Sequence, residues 1–272
     1  MKNKLISIVM AYYNRRQHLI NTLYSMNKSS YKNFEVIIVD DGSDDEHRIE
    51  DLQNQFDFSI KLFRIEKHEK KHINPCVPTN IAISKSVGDI IIIQNPECFH
   101  YDDVFAHVVK NLSKNDYFAY STVNMNLVNE LKNIDWSKNY DFQINNIIKI
   151  DINENRPNIP PKSGWYCHNI FRPLAYNFCS AILREDLKDL NGFDERYAHG
   201  IDRDDHEFLT RIIRKGMNIK FIDSAIVIHQ SHVSFSYQNP RTHELRKNNY
   251  KIFNELTSKE TTIKVNLNKQ II

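Results

Sequence analysis

The run Gly88-Asp89-Ile90-Ile91-Ile92-Ile93-Gln94-Asn95-Pro96-Glu97 constrains this chain more than any other stretch. Four consecutive isoleucines are β-branched and apolar toward both faces, whereas a strand with one wet face alternates. The run predicts a strand buried on both sides, at the centre of a parallel sheet. It stops at Asn95-Pro96-Glu97, where proline removes a backbone donor and polar groups take over. A carboxamide and a carboxylate are thereby delivered to the carboxyl edge of the sheet, where open α/β sheets bind their ligands.

The rest of the chain supplies that sheet with neighbours. Residues 5–10 read as a first buried strand, followed by the polar turn Ala11-Tyr12-Tyr13-Asn14-Arg15 and a helix over about 16–28. A second strand at 34–39 runs into Asp40-Asp41-Gly42-Ser43-Asp44-Asp45, and a helix over roughly 46–56 and a strand near 60–65 follow. A helix at about 78–86 then leads into the isoleucine strand. Short strand–helix units in this order predict a right-handed, doubly wound, Rossmann-like sheet that is mostly parallel and flanked by helices.

Beyond it, a helix at 102–113 and a strand at 117–123 are expected. From about 124 to 170 Asn, Lys and Asp predominate and Pro157, Pro160 and Pro161 interrupt regular structure, so this reads as a long connecting region with one apolar helical patch near 142–150. Order resumes with a strand at 178–183, a helix at 185–190, the turn Asn191-Gly192-Phe193-Asp194, a helix at 204–215 and a strand at 219–228 ending at His229. A polar helix is expected at 241–256, and the tail after it carries no signal.

Composition narrows the function. A net charge of +2 gives no global electrostatic case for a nucleic-acid or membrane partner, and Lys67, Lys70 and Lys71 read as a solvated face. No stretch approaches the ~20 apolar residues of a membrane span. The short apolar run at the N-terminus is no secretory signal, so a cytoplasmic location is expected. Cys76, Cys98, Cys167 and Cys179 form no C-x-x-C pair and read as reduced, buried thiols.

Three polar clusters fall at strand ends: Tyr12 to Arg15, Asp40-Asp41, and Asn95-Pro96-Glu97. Acidic groups there repel phosphate unless a divalent cation intervenes, but they also accept from base N–H and ribose hydroxyl groups. Neither G-x-G-x-x-G nor a P-loop is present, which argues against a dinucleotide cofactor and ATP hydrolysis. A nucleoside diphosphate bound through acidic groups and metal remains.

With these blocks in place the chain resembles the GT-A-fold, family 2 type nucleotide-sugar glycosyltransferases. The resemblance is carried by Ser7 to Arg15 with Leu19 and Thr22-Leu23, by Ile38-Val39-Asp40-Asp41-Gly42-Ser43-Asp44-Asp45, and by Asn80-Ile81-Ala82-Ile83 before the central strand. It implies a nucleotide-sugar-binding half over 1–123, an acceptor-binding and catalytic-base half over 124–240, and a C-terminal helix and tail over 241–272. Ala11, Tyr12, Asn14, Arg15, Asp40, Asp41, Asn80, Asn95 and Pro96 are the implied donor contacts, with Tyr12 and Asp41 at the base and Asp40 at the base or ribose. The family's D-x-D motif is replaced here by Asn95-Pro96-Glu97, which leaves Glu97 as a metal ligand for Mn2+ or Mg2+ and implies a site of reduced charge. The family's arginine before Asn80 is Thr79, with Arg15 or Lys85 as a substitute phosphate contact.

The second half resembles galactosyltransferase-like enzymes through Asn191-Gly192-Phe193-Asp194-Glu195-Arg196-Tyr197, Gly200 and Asp204-Asp205-His206-Glu207-Phe208 with Arg211. The resemblance makes Asp205 the general base of an inverting transfer, places Gly200 and Asp204 at the acceptor, and lets His229 complete the metal site. His232 is the less favoured histidine, and zinc is discounted because no cysteine lies nearby. Competing readings stand beside these: acids at a helix start favour its dipole, and a histidine at a strand end also serves structure. Trp165 and Tyr166 are either a stacking platform for the acceptor or a plug of the core beneath the loop.

The expected activity is transfer from a UDP-sugar to a glycan, glycolipid or protein hydroxyl. The alternative is a catalytically silent domain that binds nucleotide sugar or glycan. A nucleotidyltransferase is disfavoured because it would need a glycine-rich phosphate loop, and a homo-oligomer is left open.

Overall fold

A computed structural model describes residues 3–132, 134–136, 140–233, 239–259 and 261–272. The isoleucine run forms strand β4 (Ile90–Gln94), flanked by β1 (Ile6–Tyr12), with β2 (Phe34–Asp40) and β3 (Ser59–Arg64) beyond. All four run parallel. Ile90 and Ile92 pack into one core with Ile8, Met10 and Leu23, while Ile91 and Ile93 face a second core with Val9, Ile83 and Phe208. Both faces of the strand are dry, as four β-branched residues in a row require.

Helices α1 (Arg16–Asn27) and α3 (Val104–Asn111) cover the first face, and α2 (Cys76–Lys85), α6 (Arg184–Leu190) and α7 (Asp204–Arg214) the second. The sheet continues from β4 through β8 (Cys179–Leu183), β6 (Asp116–Met125) and β9 (Asn218–Gln230) to β5 (Cys98–His100), with β7 (Trp165–Cys167) beside β6. β8 runs antiparallel to both of its neighbours, so the mostly parallel sheet carries one reversed strand near its middle. The chain winds outward from β1 to β3, and α2 then returns it to β4 on the other flank of β1. Strand order reverses between β1 and β4, which is where such sheets open a ligand crevice.

Two expectations change, and one stretch without an expectation finds its place. The helix over 46–56 is two 3-10 turns, Asp45–His47 and Glu50–Asn54, because Ile49 and Leu52 are the buried anchors and do not make a helical stripe. The connecting region of 124–170 holds α4 (Val128–Leu131), α5 (Tyr140–Ile147) and β7, and builds a third core from Leu127, Leu131, Ile144, Ile148 and Trp165 against Phe99 and Ile228. After α8 (Thr242–Lys259) the tail, which carries no signal in the sequence, docks on the sheet's second face.

Asn191 holds that tail. It sits in the left-handed region at φ 57°, ending α6. Its amide nitrogen donates to Val265 O at 2.8 Å and Lys269 O at 2.9 Å, and its oxygen accepts from Ile271 N at 2.9 Å. Asn191→Ala leaves these groups without partners in a buried setting, so chemical denaturation should show a loss of about 2–4 kcal/mol. Unchanged stability would mean that the tail contributes nothing to the fold.

Candidate active site

The site grows from the end of β4. Asn95 N donates to Phe178 O at 3.1 Å and Cys98 N to Asn95 O at 3.0 Å, closing a tight turn that aims Glu97 inward. β5 then pairs antiparallel with the far half of β9, Cys98 opposite His229. That register sets the His229 Nε2 3.1 Å from Glu97 Oε1. The chain leaves β9 with Ser231 N bonded to Met125 O and brings His232 Nε2 to 3.0 Å from the same oxygen. From the β1 side Arg15 Nη1 reaches Glu97 Oε2 at 3.4 Å.

Glu97 is 2% exposed. Burial works against its ionisation, but Arg15 and the hydrogen bonds from His229 and His232 outweigh burial and hold the carboxyl well below the usual range. Glu97, His229 and His232 each offer one ligand atom, and the three atoms lie within 4.8 Å of one another. One carboxylate and two imidazoles so gathered fit a single divalent ion. Beneath them Gln230, fully buried, donates to Glu97 O at 3.2 Å and His18 O at 3.0 Å and accepts from Asn21 at 2.8 Å. It locks the end of β9 onto α1.

Beside this cluster the loops after β1 and β2 are laced together. Asn14 donates to Asp44 Oδ2 at 2.6 Å, and Asp44 N donates back to Asn14 Oδ1 at 2.8 Å. Asp40 accepts from Ser43 N and pairs with Arg64. Asp41 is held by Lys70 at 2.6 Å and by His72 at 2.7 Å, and Lys70 lies 4.7 Å over the Tyr13 ring. Lys70 therefore belongs to the site and not to a solvated face, unlike exposed Lys71.

The second cluster stands at the start of α7. Asp202 and Arg203 precede it at φ 63° and 74°, a strained pair for residues with side chains. α8 clamps this turn: Arg246 pairs with Asp202 at 2.7 Å, Asn249 donates to Asp202 O at 2.9 Å, and the Arg203 guanidinium sits 4.7 Å over Tyr250. Asp204 is bound by Asn74 at 2.9 Å and Asp205 by Asn177 at 2.9 Å. Burial, with Asp205 as neighbour, raises the Asp204 carboxyl above its ordinary range, and burial raises Asp205 likewise. Glu207 is withdrawn from the pair by Arg211 at 2.6 Å, so it serves the fold.

The segment between the clusters connects them. The Phe178 ring packs 4.7 Å from Tyr166 and 5.8 Å from His229, while its neighbour Asn177 grips Asp205.

Several expected contacts are redirected. The Tyr12 ring is fully buried in the sheet and its hydroxyl donates to His47 O at 2.6 Å, so the side chain is engaged by the turn after β2. Asn80 is also fully buried, donating to Phe193 O at 2.9 Å and accepting from Phe193 N at 2.8 Å, which makes it a strut between α2 and the Gly192 turn. Gly192, at φ +75°, must be glycine there, since a Cβ would come within 2.5 Å of Asn80 Oδ1. Trp165 is core, its indole donating to Glu154 O at 2.9 Å, and Tyr166 alone is half-exposed. Gly200 is buried against Asn249, where a Cβ would overlap that side chain, so its smallness serves α8 packing rather than an acceptor. Ala11 and Asn95 are half-exposed, and Pro96 is buried in the turn.

Comparison with known proteins follows the same lines. Residues 7–190 match the glycosyl transferase family 2 profile, and the chain belongs to that family. Residues 175–233 match the profile described as the N-terminal domain of galactosyltransferase. An uncharacterized glycosyltransferase of Rickettsia conorii is 29% identical over 125 residues, covering 46% of this chain but 20% of the relative, so the match spans about a fifth of that relative's length. Among solved structures, GalNAc-T7 with UDP, GalNAc and Mn2+ superposes with a TM-score of 0.55 at 18% identity, over 85% of this chain and 44% of that one. The mannosyltransferase PcManGT from Pyrobaculum calidifontis, in complex with GDP-Man and Mn2+, gives 0.55 at 15% identity over 92% and 64%. These likenesses establish the GT-A fold. No helix among the described residues is long and apolar enough to cross a membrane.

Folding raises the Asp204 carboxyl, so ionising it costs the folded state. The cost is absent below the ordinary carboxylate range, grows as pH rises from there to the raised folded pKa, and is constant above it. Asp204→Asn should therefore stabilise the protein by about 1–2 kcal/mol at pH 8 and not at pH 4, measured by urea denaturation at both. Equal effects at the two pH values would show that Asp204 is not strained by its charge.

Proposed function

We propose that the chain is an inverting glycosyltransferase that moves a sugar from a UDP-linked donor to a hydroxyl of a glycan, glycolipid or protein. The observation that carries this reading is the connection of two unlike carboxylate sites through residues 177–178: Glu97 with His229 and His232, and Asp205 at the start of α7. The first suits a leaving group, the second an incoming one.

At the acceptor side Asp205 accepts the proton of the attacking hydroxyl as its oxygen bonds to the anomeric carbon. The bond from that carbon to the diphosphate oxygen breaks in the same in-line step, which inverts the configuration. A carboxyl raised by burial is a stronger base than an ordinary one, and the α7 dipole favours its charged form.

At the donor side Glu97, His229 and His232 would hold a divalent cation, which when bound would supply Lewis-acid stabilisation for the departing diphosphate. Two imidazoles beside one carboxylate favour Mn2+ over Mg2+, which prefers oxygen ligands. Arg15 stands next to the same carboxylate and is placed to meet phosphate charge. Asp41, with Lys70 and His72, and the Asn14–Asp44 lacing form the preorganised floor for the nucleoside. The four cysteines are free and buried, which supports action in the reducing cytoplasm.

Calorimetric titration with UDP and GDP, with and without Mn2+, followed by a hydrolysis screen over nucleotide sugars, tests the reading. Mn2+-enhanced UDP binding with slow hydrolysis of one UDP-sugar supports it; tight binding without turnover in any screen favours a silent binding domain. Asp205→Asn should lower kcat by about 10²- to 10⁴-fold and leave UDP affinity near wild type. His232→Ala should weaken Mn2+ binding by about tenfold or more, and unaltered affinity would remove His232 from the ligand set.

A further inference from the structure

We propose that Asn177 is the positioning residue for Asp205: its amide, set by Tyr117 and Ser180, holds one carboxylate oxygen and leaves the other for the acceptor hydroxyl. The proposal rests on the reading of Asp205 as the base.

Asn177 is buried, and its orientation follows from its partners. Its Oδ1 accepts from the Tyr117 hydroxyl at 2.6 Å and from Ser180 Oγ at 3.0 Å. An amide oxygen has two lone pairs, and both are taken. The amide nitrogen is thereby turned toward Asp205 Oδ1 at 2.9 Å. Flipping the amide would set two oxygens against each other at that distance. It would also push the hydroxyls toward their longer contacts, Ala175 O at 3.3 Å for Tyr117 and Ile93 O at 3.4 Å for Ser180.

The two hydroxyls come from rigid places. Tyr117 lies on β6 opposite Ile182, and Ser180 lies on β8 opposite Ile93, both fully buried. The base on α7 is thus keyed to the sheet by a three-residue relay rather than by its own helix alone. Such a relay fixes the rotamer of a carboxylate and leaves the proton to its other oxygen.

Other groups face Asp205 as well. Asp202 and Asp204 lie along its own segment, with Arg203 and His206 beside it; Tyr117 faces it from β6 and Tyr176 from the loop before β8, its hydroxyl 2.5 Å from His206 Nε2. Burial and Asp202 push the Asp205 carboxyl up, while the bond from Asn177 pulls it down. Loss of that bond exposes the upward push.

Kinetics of the full chain with its UDP-sugar donor test this. Asn177→Ala should lower kcat by about tenfold or more and move the acid limb of kcat/KM up by about one pH unit, with the UDP dissociation constant unchanged. Tyr117→Phe keeps the ring and removes the orienting donor, so it should give a smaller shift in the same direction even if Asn177→Ala folds poorly. An unmoved acid limb in both variants, or a raised acceptor KM with kcat intact, overturns the positioning role. Wild-type turnover and pH profile in Asp205→Asn would instead overturn the base assignment beneath it.

Discussion

A carboxylate at the end of a dry strand is expensive to ionise, and the whole site is arranged around meeting that cost at Glu97. An unpaired buried charge costs several kcal/mol, so the neighbours that engage it matter to the fold as well as to the site. Arg15 arrives from the loop after β1, His229 from the far half of β9, and His232 from the segment beyond. These residues are spread over most of the chain, and the sheet order makes them neighbours. The reversal between β1 and β4 puts Arg15 beside Glu97, and the antiparallel pairing of β5 with β9 puts His229 there. A register shift between Tyr120 and Thr122 lets β9 follow β6 along its length and still reach β5.

The loops after β1 and β2 follow the same logic. Asp40, Asp41 and Asp44 would repel one another and a diphosphate, but each is engaged: Asp40 by Arg64, Asp41 by Lys70 and His72, Asp44 by Lys67 and Asn14. The loops are electrostatically quiet and geometrically fixed before any ligand arrives, which is the condition for binding without a large ordering cost.

The isoleucine run, the carboxylates at strand ends and the acid cluster before α7 were legible because each is local: a side chain and its backbone element lie together in sequence. Most of the sheet and its helices followed from periodicity, apart from the short elements β5, β7 and α4 and from 46–56, where Ile49 and Leu52 alone could not anchor a helix. Partnerships across the sheet were not legible. His232 carried no motif, and its place follows from a β9 register that no spacing encodes. Gln230 and Asn177 are ordinary polar residues until a fold gives them partners. Asn80 on α2 and Tyr12 at the end of β1 read as donor contacts from the motif alone, and the fold gives their side chains backbone partners that no motif shows. Trp165 settled into the core, one of the two readings its sequence allowed.

The clamp of α8 on the strained turn at Asp202 and Arg203 has a consequence in time. The loops after β1 and β2 lie early in the chain, while the helix that holds the start of α7 in place comes after the last strand of the sheet. Synthesis delivers the chain from its N-terminal side. The turn at Asp202 and Arg203 therefore stays unclamped until the chain beyond β9 has been made, and the start of α7 is among the last parts of the fold to be fixed.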